Sequence, residues 1–322
     1  NDHQRRADDD DNDMINDDHC YNLISFLDNK ILLFGTIEFL GKLCTADTVY
    51  MDGTFKSCPL PFKQIYTLHC FIMGKMFPIA YGLLPDKTKQ TYVRLLNLVK
   101  QIALDHQLNF QPQTFQIDFE LGMLAAIQEQ FPTSRVRGCY FHYTQCIWRK
   151  VQELGLVKYY KKDKDINALV RRMAAFPLLP LHLIDDVFLQ MHSDAPLNQS
   201  CNELIDYFVE QWVHDIRPKI SRTIWSHYDN NGARTNNHLE GWHSFLNKKV
   251  GKHHPNLFEL IFHLQTIQQK NEQDLESIKN GGSIPQAKLV YRKLDESLKN
   301  LKVHLSNNEI TPIRFLDAVT HR

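Results

Sequence analysis

No stretch of this chain approaches the roughly 18–20 consecutive apolar residues that a membrane-spanning helix requires. Glycine and proline are sparse, at 13 each in 322 residues, which excludes collagen-like and linker-dominated chains. Seven cysteines form an odd set whose spacing does not resemble a small disulfide scaffold, so reduced thiols in an intracellular protein are expected. No C-x2-C pair occurs. The first residues are polar and acidic, which predicts no signal peptide. Net charge is also missing: 37 basic residues balance 37 acidic ones, which at face value argues against a histone-like protein. What is present is ample apolar material for a buried core, 43% of the chain, and a length that suggests about two domains.

The zero charge is a sum of unlike parts. Residues 1–29 hold nine Asp against Arg5 and Arg6, a net of −7, which leaves +7 on the rest. Residues 135–172 hold ten basic and three acidic residues, and residues 217–254 hold seven and two. Two basic regions and an acidic tail therefore hide behind the sum. The Asp-rich residues 1–19 cannot bury enough apolar surface to fold alone and are expected to be disordered, with order starting near residues 21–26.

Residues 48–52, 64–73 and 77–84 read as three consecutive strands, the last two joined by a short turn at Gly74. Residues 89–106 then read as a helix, 114–118 as a strand, 120–131 as a helix stopped by Pro132, 135–141 as a strand and 142–156 as a helix. This order predicts an α/β domain with a mixed sheet. Residues 157–224 read as helical throughout, with a long apolar stripe from Cys201 to Ile216 that predicts a buried helix face. Helices are expected at 235–250, 256–279 and near 286–304.

Three carboxylates stand where chemistry would want them. Asp52 and Asp118 end predicted strands, and Glu240 lies on a predicted helix. Strand-end carboxylates can share one sheet edge, and a helix packed there can add a third. Such a cluster supplies the hard oxygen ligands of two Mg²⁺ ions, which about 3.5–4 Å apart clamp the attacking and leaving oxygens of a phosphoryl displacement. Each residue also has a plainer reading: Asp52-Gly53 as a turn, Asp118 as a helix cap with Glu120 as a rival carboxylate, and Glu240 as a solvated charge. Against the last, Asn237, Glu240, Ser244 and Asn247 form a helix face with a single charge, separate from the apolar stripe of Leu239, Trp242, Leu246 and Val250.

Four blocks together resemble the catalytic domain of Mutator-like element (MULE) transposases. They are Asp52-Gly53-Thr54-Phe55-Lys56; Gln116-Ile117-Asp118-Phe119-Glu120; Cys139-Tyr140-Phe141-His142, a C-x-x-H signature; and the run from Arg234 to His243 that holds Glu240. The resemblance spans about residues 45–250. It implies a ribonuclease H-like mixed sheet with flanking helices, interrupted by an all-helical insertion before the helix carrying the third acid. It implies domains at 30–156 (first part of the core), 157–224 (insertion), 225–252 (last core helix) and 253–322 (C-terminal helices), after an acidic tail at 1–29. It further implies a catalytic and metal-binding triad of Asp52, Asp118 and Glu240, two Mg²⁺ or Mn²⁺ ions, and DNA cleavage and strand transfer in the nucleus by a homo-oligomer on DNA. Neither a membrane nor a small-molecule substrate is expected. Cys139, His142, Asn237 and His243 are expected near the site; Cys139 and His142 alone cannot complete a zinc site, which takes four ligands.

Lys and Arg that neutralise phosphates, and aromatic rings that stack on unpaired bases, are the expected DNA contacts. Arg137, Arg149, Lys150, Arg234, Lys248 and Trp225 are the candidates, with Trp242 expected in the core. Residues 1–44 carry no zinc-finger pattern of the kind that often recognises element ends. That favours as the alternative a domesticated, catalytically silent DNA-binding or regulatory protein. A ribonuclease H-fold nuclease acting on RNA or RNA–DNA hybrids is a third reading.

Overall fold

The computed structural model describes residues 24–28, 30–214, 220–230, 232–283 and 289–320. The expected disorder of residues 1–19 lies outside them, as do Ile216, Arg217 and Lys219. Seven strands form one sheet: β1 (Ile24–Asp28), β2 (Ile31–Gly35), β3 (Thr48–Thr54), β4 (Gln64–Ile72), β5 (Lys75–Leu84), β6 (Thr114–Ile117) and β7 (Arg135–Gly138), in the order β1-β2-β5-β4-β3-β6-β7. The β3–β4–β5 and β1–β2–β5 pairings are antiparallel, whereas β3–β6 and β6–β7 are parallel. This mixed α/β architecture is compatible with a ribonuclease H-like fold. β1 and β2, and the helix α1 (Ile37–Cys44) after them, were not foreseen; β1 also places residues 24–28 in the sheet rather than in an acidic tail ending at 29.

The local causes are readable. β4 and β5 are joined by Met73 and Gly74, both at positive φ (49° and 83°), as a two-residue turn matched to strand twist requires. The helix α2 (Lys89–Asp105) starts where the Thr88 hydroxyl accepts from the Thr91 N–H. It crosses from β5 to β6, and α3 (Leu121–Gln130) crosses from β6 to β7. Both turn apolar stripes onto one sheet face, where Val49, Met51, Leu68 and Phe115 meet Leu95, Leu96 and Ile127.

The chain continues through α4 (Tyr140–Glu153), α5 (Val157–Tyr160), α6 (Lys164–Ala175), α7 (Ile184–Ser193), α8 (Gln199–Phe208), which runs into a π turn at Val209–Val213, and α9 (Arg222–Trp225). Then follow α10 (Asn237–Val250), α11 (Leu257–Lys279), α12 (Leu289–Ser306) and α13 (Pro312–Thr320). α10 and α11 cover the opposite sheet face, with Leu246, Leu260 and Leu264 against Ile65, Tyr81 and Leu83. α4, α6 to α9, α12 and α13 enclose a second core around Phe176, Phe208, Trp212 and Trp225. The stripe beginning at Cys201 is buried there, as its spacing predicts: Leu204, Phe208 and Trp212 are at most 1% exposed. Among the described residues no helix is long and apolar enough to cross a membrane.

Candidate functional site

β3 and β6 run parallel with Thr48 opposite Thr114 and Tyr50 opposite Gln116. Continued two residues, that register sets Asp52 beside Asp118 at the same end of neighbouring strands. Residue alternation explains the face: Val49 and Met51 enter the core under α2 and α3, so Asp52 turns to the side covered by α10. Asp52 and Gly53 lie inside β3, paired with Thr67 and Tyr66, so the turn reading is replaced by a strand. A Cβ at Gly53 would stand 2.6 Å from the Gln64 Oε1, so a larger residue there would have to displace the buried Gln64 side chain. Asp118 follows β6 directly and accepts from the Glu120 N–H at 3.3 Å; no side chain caps α3.

α10 is moored by the residue before it. Asn236 is fully buried; its Nδ2 donates to the Met51 carbonyl at 3.4 Å, its Oδ1 accepts from Gln116 at 3.1 Å, and its N–H donates to the Cys139 Sγ at 3.1 Å. One side chain thus ties the helix to β3 and β6, and its backbone ties it to the start of α4. Glu240, His243, Ser244 and Asn247 follow at helical spacing and face a cavity of ≈ 910 Å³, whose floor also holds Asp52 and Asp118. Asn237, expected near the site, is exposed and does not line this cavity; the buried residue is its neighbour Asn236.

The electrostatics of the floor are those of crowded carboxylates. Burial lifts the Asp52 carboxyl to about 7, with the Asp118 and Glu240 carboxylates adding to the rise and the Gly53 N–H and Lys87 opposing it. Asp118 and Glu240 are also raised, both first by burial. Glu240 Oε1 is buried without a hydrogen-bond partner and lies 3.6 Å from the His142 Nε2. Burial lowers the pKa of His142, against the pull of Glu240. His243, lowered to about 4 by burial, is neutral at pH 7. The Thr67 hydroxyl donates its single proton to the Asp52 carbonyl and so accepts from His243 at 3.1 Å, which assigns the ring proton to Nε2. Nδ1 then presents its lone pair 3.7 Å from the Asp52 Oδ2.

The donor chemistry suits hard divalent cations: carboxylate oxygens that repel one another, one of them without a partner. As they stand, no three His, Cys, Asp or Glu side chains among the described residues are grouped closely enough to hold a metal ion. Glu120, the rival to Asp118, is already engaged: Tyr92 donates to it at 2.7 Å, and Lys87 Nζ lies 3.8 Å away. Cys139 is a buried thiol raised to about 11, with its sulfur committed to the Asn236 N–H.

Four cations, Lys56, Lys87, Arg149 and Lys248, also line the cavity. Of the expected DNA contacts, Arg149 and Lys248 are there. Lys150 is instead paired with Glu153 at 2.6 Å, and Arg234 with Asp295 at a different pocket. Two expectations are corrected. Arg137 is 8% exposed and donates to Asn230, on the sheet face opposite Val136. Trp225 is fully buried, stacked on Tyr143 with its indole N–H donated to the Trp212 carbonyl, so it offers no surface to a base. Trp242 packs as expected, stacked on Tyr81 at 5.4 Å. Lys87 escaped sequence reading because it sits in a loop, with no periodicity or motif to mark it.

Residues 48–146 match the family model described as MULE transposase domain. No curated protein matches the chain significantly. The matched segment runs from β3 through the first half of α4 and so contains Asp52, Asp118, Cys139 and His142; Glu240 lies beyond it.

Proposed function

We propose that this chain, which carries a MULE transposase domain over residues 48–146, cuts and joins DNA through Asp52, Asp118 and Glu240. The domain itself implies a transposase-type function and interaction with DNA. The observation that carries the finer reading is that Asp52, Asp118 and Glu240 line one cavity, with Asp118 directly after β6 and β6 parallel to the β3 that holds Asp52. The three carboxylates would hold two Mg²⁺ or Mn²⁺ ions, which supply charge stabilisation to an in-line phosphoryl displacement by water or a 3′-hydroxyl. Around them, Lys56, Arg149 and Lys248 bind backbone phosphates. His142 lies beside Glu240 without bonding it, and the Thr67 hydroxyl, which accepts from His243, holds the Asp52 backbone in place. The helices between α4 and α10 are read as an insertion into a ribonuclease H-like core. Action in the nucleus, as a homo-oligomer on DNA, belongs to the same reading.

The test is cleavage of labelled duplexes that cover the DNA flanking the coding region, with Mg²⁺ or Mn²⁺. Wild type nicks them, and Asp52→Asn, Asp118→Asn and Glu240→Gln each lose roughly 10²–10⁴-fold in rate. Equal cleavage by wild type and variants overturns the triad. One observation favours a second reading, a catalytically silent DNA-binding protein: the carboxylates do not already form a three-ligand group. Salt-sensitive DNA binding with no metal-dependent nicking supports that reading.

A further inference from the structure

α4 is the shared wall of two cavities. Its Phe141 and Gln145 line the carboxylate cavity and also a second one of ≈ 410 Å³. Residues 141, 145 and 148 fall on one helix face, so Trp148 continues the wall away from the carboxylates. Trp148 meets Tyr160 edge to face at 5.1 Å, and both rings remain partly exposed. The remaining lining is mainly apolar, with one cation, Arg171, which makes no ion pair or hydrogen bond among the described residues. Tyr160 and Arg171 in turn line a third cavity of ≈ 640 Å³ with Lys161, Lys162 and Lys164. Shared lining residues set the three side by side along α4, α5 and α6, as sections of a trough. Its chemistry runs from carboxylates with a cationic rim, through an aromatic slot, to a group of lysines that outnumber the carboxylates beside them, Asp163 and the Arg172-paired Asp317.

We infer that this trough takes DNA as an unpaired strand, with a base seated against Trp148 and the adjoining phosphates on Arg171 and the lysines. The inference rests on the carboxylate cavity being the DNA-processing site, and adds where the strand goes and in what form. A duplex keeps its base faces stacked inside and offers phosphates, sugars and base edges, none of which fills a slot lined by aromatic rings. A strand of alternating bases and phosphates matches a wall of alternating rings and cations. Every base has a face to stack, so the slot reads no sequence.

The experiment is DNA binding by the full chain in EDTA, followed by fluorescence anisotropy. Three probes are compared: a blunt duplex, the same duplex with a short thymidine tail, and a thymidine single strand. The tailed duplex binds about tenfold more tightly than the blunt one. Trp148→Ala and Arg171→Ala each remove most of that gain, Trp148→Phe retains it, and Arg171→Ala flattens the salt dependence by about one ion. Arg171 is partly exposed, so its variant serves should Trp148→Ala lose the fold. Equal binding of tailed and blunt duplexes, or a gain that survives both alanine variants, overturns the trough while leaving DNA processing intact. Failure of wild type to bind any of the three overturns both.

Discussion

In the helical half of the molecule, Arg222 is 9% exposed and donates to both Asp185 oxygens, at 2.9 and 2.6 Å, and to the Val213 carbonyl. Arg172 likewise grips Asp317 with two bonds. The effect is mutual: Asp185 is drawn below the usual carboxylate range by Arg222, and Arg172 is raised by Asp317. At the end of β3 and β6, Asp52 is 7% exposed, and burial, with the Asp118 and Glu240 carboxylates adding to it, lifts its carboxyl to about 7. The first arrangement holds helices together. The second raises the energy of the folded chain in its ionised form, and nothing in the packing demands it. Enzymes place perturbation of that second kind in clefts where acid, base or metal chemistry is needed, which supports the role proposed for these carboxylates.

The largest effect that separates the two is loss of an Arg. Arg222→Ala removes the link between α7, the π turn and α9 and lowers stability by about 2–4 kcal/mol. Urea titration measures it. The loss is the same with and without Mg²⁺, since the pair is remote from the carboxylates. A loss that Mg²⁺ repairs would dissolve the distinction between the regions.

Asp52→Asn goes the other way. Between about pH 4 and pH 7 folded Asp52 keeps a proton that the unfolded chain has released, so wild-type stability falls as pH rises through that window. Asparagine never ionises and escapes the fall. The variant is therefore more stable than wild type by about 2 kcal/mol at pH 8 in EDTA, within a limit of about 4 set by the size of the shift. The difference vanishes near pH 4. On the proposed reading Mg²⁺ raises the melting temperature of wild type more than that of the variant, since the ion would relieve the same repulsion. A variant less stable than wild type at pH 8 would show that Asp52 is held by contacts rather than crowded by charge.

Much of this was legible before any coordinates. The strand and helix order from Thr48 to Glu153 followed from β-branched and aromatic runs broken by Gly and from three-to-four spacing, and the candidate acids from predicted strand ends at 52 and 118 and a helix face with a single charge at 240. What stayed hidden depends on three-dimensional neighbours. Asp-Gly reads locally as a turn, yet pairing with β4 holds both residues in a strand. Trp225 lies in a basic stretch, but Tyr143 and Trp212, far away in sequence, enclose it. Arg137 shows its charge in sequence and not its burial. Asn236 and Asn237 are indistinguishable as letters, and only packing decides which one moors α10.

Lys87 gives the smallest effect and the finest cut through the comparison. Its ammonium sits 4.2 Å from the Phe55 ring centre and 3.8 Å from Glu120, and it draws down Asp52, Asp118 and Glu120 alike. It is thus the cavity's nearest counterpart to Arg222, but its side chain is 48% exposed, so solvent screens most of the attraction. Lys87→Met should cost no more than about 0.5 kcal/mol at pH 8, and less at pH 5, where Asp52 carries its proton. The same substitution removes a charge that competes with divalent cations, so the Mg²⁺-induced rise in melting temperature grows. Binding of duplex DNA against salt then decides whom Lys87 serves. A slope reduced by about one ion assigns it to a phosphate. An unchanged slope leaves it as a partner of the carboxylates alone, and the end of β3 and β6 would then be a weaker copy of the helical half rather than its opposite.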